Sequence, residues 1–361
     1  MLNTSQWDSA LPDVPRNYTR KETLLSIRDL SVTYKTRKGN LSAVDTLSLD
    51  LYKGEILGLV GESGCGKSTL GKAIMRMITP PGEITQGQLL FKGTDLMTLS
   101  EKEMREIRGQ NISMIFQDPM TSLNPVQSIE EHIVEAIRVH QPEVEQAEAS
   151  QRATELIERL GIGRKRLEDY PHQLSGGMRQ RVMIALALAL KADIIIADEA
   201  TTSLDVIVEA QFLDLLRELK DEFGLTILLI THNIGVVAQL ADRVAVMYGG
   251  RLAEVTDVES LFYNPKHPYT QGLLASVPNI DLDSTELYRM DGLPPNLINP
   301  PSGCRFHPRC PEAMEICAQQ QPWLVRVDEI GEGDERVGGY DKHLAACWLH
   351  QEYEGSKVRR Y

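Results

Sequence analysis

Gly61-Glu62-Ser63-Gly64-Cys65-Gly66-Lys67-Ser68 fits the pattern G-x-x-x-x-G-K-[ST] at every fixed position. Glycines let such a backbone curl so that its N–H groups point inward at phosphate oxygens. A helix opening at this point adds a partial positive charge. Lys67 suits the terminal phosphates and the Ser68 hydroxyl suits Mg²⁺. The alternative is a glycine-rich strand-to-helix turn with no ligand. Context speaks against it: Glu55-Ile56-Leu57-Gly58-Leu59-Val60 is an apolar run suited to a buried strand, and a helix is predicted from Lys67 to about Met77. Gly61, Ser63, Gly64, Cys65, Gly66, Lys67, Ser68 and Thr69 are the candidate nucleotide contacts. Cys65 reads as a small residue in the loop.

Moving outward, Ile194-Ile195-Ile196-Ala197-Asp198-Glu199 is an apolar strand ending in two acids. The carboxyl end of a strand is where α/β sheets bind ligands. Asp198 can hold Mg²⁺, and Glu199, one step on, can polarise an attacking water. A solvated acidic turn is the plainer reading of the pair alone; the loop upstream favours the metal-binding one. Thr226–Ile230 is a further strand, and Leu24–Ile27, Val32–Tyr34 and Ala43–Leu51 are strand-like. Residues 101–170 are charged and helical in period, as in Ala153, Leu156, Ile157 and Leu160, and read as an inserted lobe. Strands alternating with helices predict an α/β core with a largely parallel sheet. Residues 1–22 form a polar arm, and from residue 264 prolines multiply and cysteines appear.

Composition sets outer limits. A chain of 361 residues is too long for one compact core. A net charge of −13 argues against nucleic acid as the main partner. Met1 to Arg16 carries Asp8 and Asp13 and no apolar block, unlike an export signal. The longest apolar run, Val182 to Leu190, stops at Lys191, short of the roughly 20 residues that span a bilayer. Membrane contact is therefore expected through a partner.

Leu174-Ser175-Gly176-Gly177-Met178-Arg179-Gln180-Arg181 resembles the signature of the ABC ATPases. Ser175 and two glycines before a helix can face an anion. The resemblance, covering roughly residues 24–262, implies a P-loop NTPase (RecA-like) core over 23–263 with a helical subdomain at about 101–185. It implies ATP and Mg²⁺ as cofactors, with Ser68, Gln117 and Asp198 at the metal and Glu199, His232 and Gln117 as catalytic residues. Ser175, Gly177 and Gln180 would serve the nucleotide of an opposite subunit, and Asp205, in Ser203-Leu204-Asp205, the dimer seam. Tyr34 would stack on adenine, or else is a core strand tyrosine. Ala200 and Ser203 depart from the family's usual proline and alanine without removing a functional group.

Gln117-Asp118-Pro119-Met120-Thr121-Ser122-Leu123-Asn124-Pro125 is similar to the ATPases of peptide and nickel ABC importers. So are Asn264-Pro265-Lys266-His267-Pro268-Tyr269-Thr270, Gly292-Leu293-Pro294-Pro295 and Pro301 to Pro311, in the C-terminal extension 264–361. That resemblance, to the D-type ATPase subunit, implies ATP hydrolysis that powers import at the cytoplasmic face of the membrane. It implies two permease subunits as partners, with Met120 to Pro125 receiving a helix from each. A second, different ATPase and an extracytoplasmic solute-binding protein complete the set. An ABC ATPase uncoupled from transport is the alternative, but this chain has neither a long coiled coil nor two fused halves.

Cys304, Cys310, Cys317 and Cys347 are spaced C-x₅-C-x₆-C-x₂₉-C. Structural zinc sites usually show tight pairs, absent here; four thiolates can also hold an iron–sulfur cluster. The resemblance implies a 4Fe–4S cluster, with Zn²⁺ as the alternative. Because Lys67, Ser68, Asp198 and Glu199 lie outside this extension, nucleotide affinity is expected to survive loss of the cysteine site.

Overall fold

The computed structural model describes residues 22–117, 122–201, 204–277, 290–327 and 343–352. They fall into two compact units, one of Met1–Tyr52, Ile56–Asp95 and Thr231–Tyr361, the other of Lys53–Glu55 and Leu96–Ile230. Along the chain run β1 (Thr23–Thr36), β2 (Gly39–Tyr52), β3 (Ile56–Val60), α1 (Lys67–Ile74), β4 (Gly82–Phe91) and β5 (Thr94–Asp95). Next come α2 (Glu101–Gln110), β6 (Ile112–Ile115), α3 (Ile129–His140), α4 (Gln146–Arg159) and α5 (Gly176–Leu188). β7 (Ile194–Asp198), α6 (Val206–Phe223) and β8 (Thr226–Ile230) close the second unit. The first resumes with α7 (Ile234–Leu240), β9 (Arg243–Tyr248), β10 (Arg251–Asp257), α8 (Val258–Tyr263) and α9 (Pro268–Ala275), then α10 (Glu315–Gln319), β11 (Val325–Arg326) and β12 (Leu344–Ala345).

In the first unit every residue of β3 is buried, as its apolar run requires. β3 lies parallel to β9, with Leu57 opposite Arg243 and Val60 opposite Val246. Helix α7 packs closely on β3, since a Cβ at Gly58 would stand 2.9 Å from the Val237 side chain. The sheet is less parallel than the sequence predicts. β1 and β2 are joined by two residues, a connection only antiparallel strands can make. With β4 and β5 they form an antiparallel sheet in the order β2-β1-β4-β5. The separate strands expected at Leu24 and Val32 are one strand, interrupted by register shifts around Leu30 that absorb the irregular pattern.

The C-terminal extension is sewn to this unit by β12, which pairs with β10 and β11. Glu254 on β10 is fully buried and accepts from the backbone N–H groups of Lys266 (2.7 Å) and His267 (2.9 Å) and pairs with His343 Nε2. Burial pushes its carboxyl up, but the His343 hydrogen bond and charge bring it below the usual range. Tyr248, Tyr269 and Phe306 cluster beside it with ring centroids 4.5 to 5.4 Å apart.

His267 is buried against Phe306, and its Nδ1 accepts from the Tyr269 N–H at 3.0 Å. Burial disfavours the imidazolium and pushes its pKa down to about 4. An unfolded chain binds this proton near pH 6.5, so the contribution to stability is complete above that pH and is lost as pH falls toward 4. The loss amounts to roughly 3 kcal/mol. His267→Asn keeps the acceptor for Tyr269 and removes the titration, so denaturant unfolding should show a flatter pH profile between 6.5 and 4. Identical wild-type and variant profiles would refute this.

In the second unit β6, β7 and β8 are parallel, with Ile112 opposite Ile194 and Ile194 opposite Thr226. β6 is a strand inside the stretch expected to be helical; Ile112-Ser113-Met114-Ile115 is wholly buried beside β7. α2 and α3 open with capping boxes, Ser100 with Glu103 and Ser128 with Glu131. Among the described residues no helix is long and apolar enough to cross a membrane.

Candidate nucleotide-binding site

The loop between β3 and α1 has a shape that its glycines make possible. Gly61 has φ +151°, and a Cβ there would stand 2.1 Å from the Met247 carbonyl oxygen. Gly66, at φ +106° in the left-handed region, would place a Cβ 2.1 Å from the Ala43 carbonyl oxygen. Lys67 is buried and donates from Nζ to the carbonyls of Gly61 (2.8 Å) and Glu62 (3.2 Å). Ser63 and Gly64 are exposed, while Ser68 and Thr69 are half-buried in the first turn of α1. Cys65 is buried, and burial raises its thiol pKa, so a thiolate is disfavoured here.

Tyr34 is half-buried on β1 with its ring against Gly82, where a Cβ would meet it at 2.5 Å. His232 is exposed, and the Thr231 N–H before it donates to Leu59 at 3.2 Å, which sets the histidine beside the strand leading into the loop.

In the second unit, β7 carries buried Asp198 at its end and Glu199 just beyond. Glu199 adopts φ +48°, a left-handed turn that costs a non-glycine residue of order 1 kcal/mol. Its N–H donates to Ile230 at 2.8 Å, and its carboxylate accepts from Gln117 Nε2 at 2.9 Å. The structure thus brings together two candidate catalytic residues 82 positions apart. Ser175 caps α5, accepting from the Met178 N–H. Gly177 packs on Val208, where a Cβ would meet Cγ1 at 2.6 Å. Gln180 turns inward instead: it is 1% exposed, and its side-chain amide atoms have no hydrogen-bond partner among the described residues. Asp205 caps α6, accepting from Ile207 and Val208. Residues 118–121 and Ser203 lie outside the described residues.

Two contacts with the loop have no signal in the motif. The Glu62 N–H donates to the Tyr269 hydroxyl at 2.9 Å, and Arg309 forms a two-bond ion pair with the Glu62 carboxylate.

The ABC transporter family matches residues 44–202, and the oligopeptide/dipeptide transporter C-terminal region matches 253–317. The dipeptide transport ATP-binding protein DppD of Bacillus subtilis is 47% identical over 92% of this chain and 96% of its own length. The chain belongs to the ABC transporter ATPases. The oligopeptide transport ATP-binding protein OppD of Escherichia coli is 45% identical over 86% of this chain and 92% of its own. Among solved structures, the ATP-binding cassette MJ0796 in a dimeric post-hydrolysis state bound to ADP and Pi matches with a TM-score of 0.59. It is 28% identical and covers 65% of this chain and 98% of that one.

In this ABC ATPase the C-terminal match contains Cys304, Cys310 and Cys317, with Cys347 beyond it. All four are outside any disulfide. Burial first, and the other thiols of the group with it, push Cys310 up to about 11 and Cys347 to about 12. Among the described residues no group of three or more His, Cys, Asp or Glu is disposed to hold a metal ion.

Proposed function

We propose that this chain powers the import of peptides, as the ATPase of an ABC importer bound to the cytoplasmic face of the membrane. One observation carries the reading: the similarity to dipeptide and oligopeptide transport ATP-binding proteins runs through both the ATPase region and the C-terminal extension. Residues 23–263 form the ATPase domain, with 101–185 its helical subdomain, and 264–361 the importer-type extension. Two permeases, a second and different ATPase, and indirectly an extracytoplasmic binding protein complete the machine. Val206 and Ile207, exposed beside Asp205, offer apolar surface suited to that second ATPase.

The loop fits a polyphosphate because its close backbone approaches at Gly61 and Gly66 exclude side chains. ATP with Mg²⁺ supplies the phosphoryl-transfer chemistry when bound. Lys67 would then hold the terminal phosphates, and Ser68, Asp198 and Gln117 would hold the metal. Tyr34 meets the base. Glu199 orients the attacking water and accepts its proton, His232 binds the γ-phosphate, and Gln117 fixes the Glu199 carboxylate. Ser175, Gly177, Gln180 and Asp205 serve the partner ATPase's nucleotide.

The cysteines fit an iron–sulfur cluster better than zinc. Their spacing, C-x₅-C-x₆-C-x₂₉-C, lacks the tight pairs usual in structural zinc sites. The backbone amides of Phe306 and His307 pull the Cys304 thiol pKa down, as does that of Glu312 for Cys310 and that of Leu349 for Cys347, against the burial that raises all three. Such donors stabilise metal-bound thiolates. A 4Fe–4S cluster on these four residues pins the extension.

In cells, Lys67→Ala is expected to abolish uptake of labelled di- and oligopeptides while the binding protein still captures them. Unchanged uptake would rule out the proposed function.

A further inference from the structure

Glu62, the second residue of the phosphate loop, is held on every side. Its carbonyl accepts from Lys67 Nζ at 3.2 Å and its N–H donates to the fully buried Tyr269 hydroxyl at 2.9 Å. Its carboxylate is gripped by both terminal nitrogens of Arg309, Nη1 to Oε2 at 2.8 Å and Nη2 to Oε1 at 3.0 Å. Arg309 is itself fixed: Nε donates to the Asp291 carbonyl at 3.0 Å, Nη1 donates to the Tyr248 hydroxyl at 3.3 Å, and its side chain is only 5% exposed. Both partners of Glu62 come from the C-terminal extension, and Arg309 directly precedes Cys310.

A carboxylate built into a loop that must receive a polyanion opposes binding unless it is neutralised and turned aside. A two-pronged guanidinium does both, because the planar fork matches a carboxylate and sets its direction. We propose that Arg309 is a positioning residue for nucleotide binding: by holding and neutralising Glu62 it keeps the loop receptive to ATP, and so makes ATP affinity depend on the C-terminal extension. This rests on the reading of residues 61–69 as the nucleotide site.

The test is Mg·ATP titration of the full-length, metal-loaded chain, with thermal unfolding to verify folding. Arg309→Met is expected to raise the Kd about tenfold, the repulsion of one exposed charge. Adding Glu62→Gln to that variant removes the charge and should return the Kd to within about threefold of wild type. A wild-type Kd in Arg309→Met, or a double variant as weak as the single one, overturns the proposal, because a merely structural arginine is not rescued by loss of its partner's charge. Should Arg309→Met fail to fold, Arg309→Lys keeps the charge but loses the fork and should bind about threefold more weakly; wild-type affinity there overturns the proposal equally. A wild-type chain that binds no ATP would instead overturn the nucleotide reading itself.

Discussion

Replacing Glu199 with glutamine is expected to leave ATP binding intact and to cut turnover by at least about tenfold, or ~1.4 kcal/mol of barrier. The substitution conserves shape. A glutamine oxygen can still accept from Gln117 Nε2, as the carboxylate does at 2.9 Å, and the backbone turn at φ +48° is unaltered. What disappears is the negative charge proposed to draw a proton from the attacking water. Asp198, buried one residue earlier and proposed to hold the metal, is untouched, so binding should survive. The decisive measurement is ATPase rate at saturating ATP in the assembled transporter. Near-normal turnover would show that another group positions the water.

Purified without oxygen, the protein should be brown and carry roughly four irons per chain, and Cys310→Ser should bleach it. Without a metal the four thiols are a liability, for burial and mutual repulsion keep Cys310 and Cys347 protonated far above neutrality. Nearby backbone amides favour the thiolates of three of them, a form that a bound cation centre would stabilise at physiological pH. Elemental analysis decides between metals. One zinc and no iron in anaerobically prepared protein would assign the site to zinc.

Much of the ATPase fold was legible because its signals are local. The phosphate loop, the acidic end of β7 and the apolar β8 each announce themselves within ten residues. β6, β9 and β10 escaped, since Ser113, Arg243 and Glu254 interrupt apolar runs and are satisfied only after folding. The ties to Glu62 lie further out of reach: Tyr269 is 207 positions away and Arg309 is 247. No periodicity links residues at such range. The burial of Gln180 was equally out of reach, for a motif position says nothing about which face of α5 turns inward.

The buried carboxylate on β10 bears on how such chains can change by descent. Glu254 collects donors from Lys266, His267 and His343, three points of the extension, at a position with no exposure to water. A chain shortened before residue 343 would take from this interior carboxylate its His343 partner, at a cost of several kcal/mol. Extension and strand therefore cannot be acquired or shed independently. Among ABC ATPases, an acid at the position of Glu254 should serve as a marker for chains that carry the extension, and an apolar residue there for chains that do not.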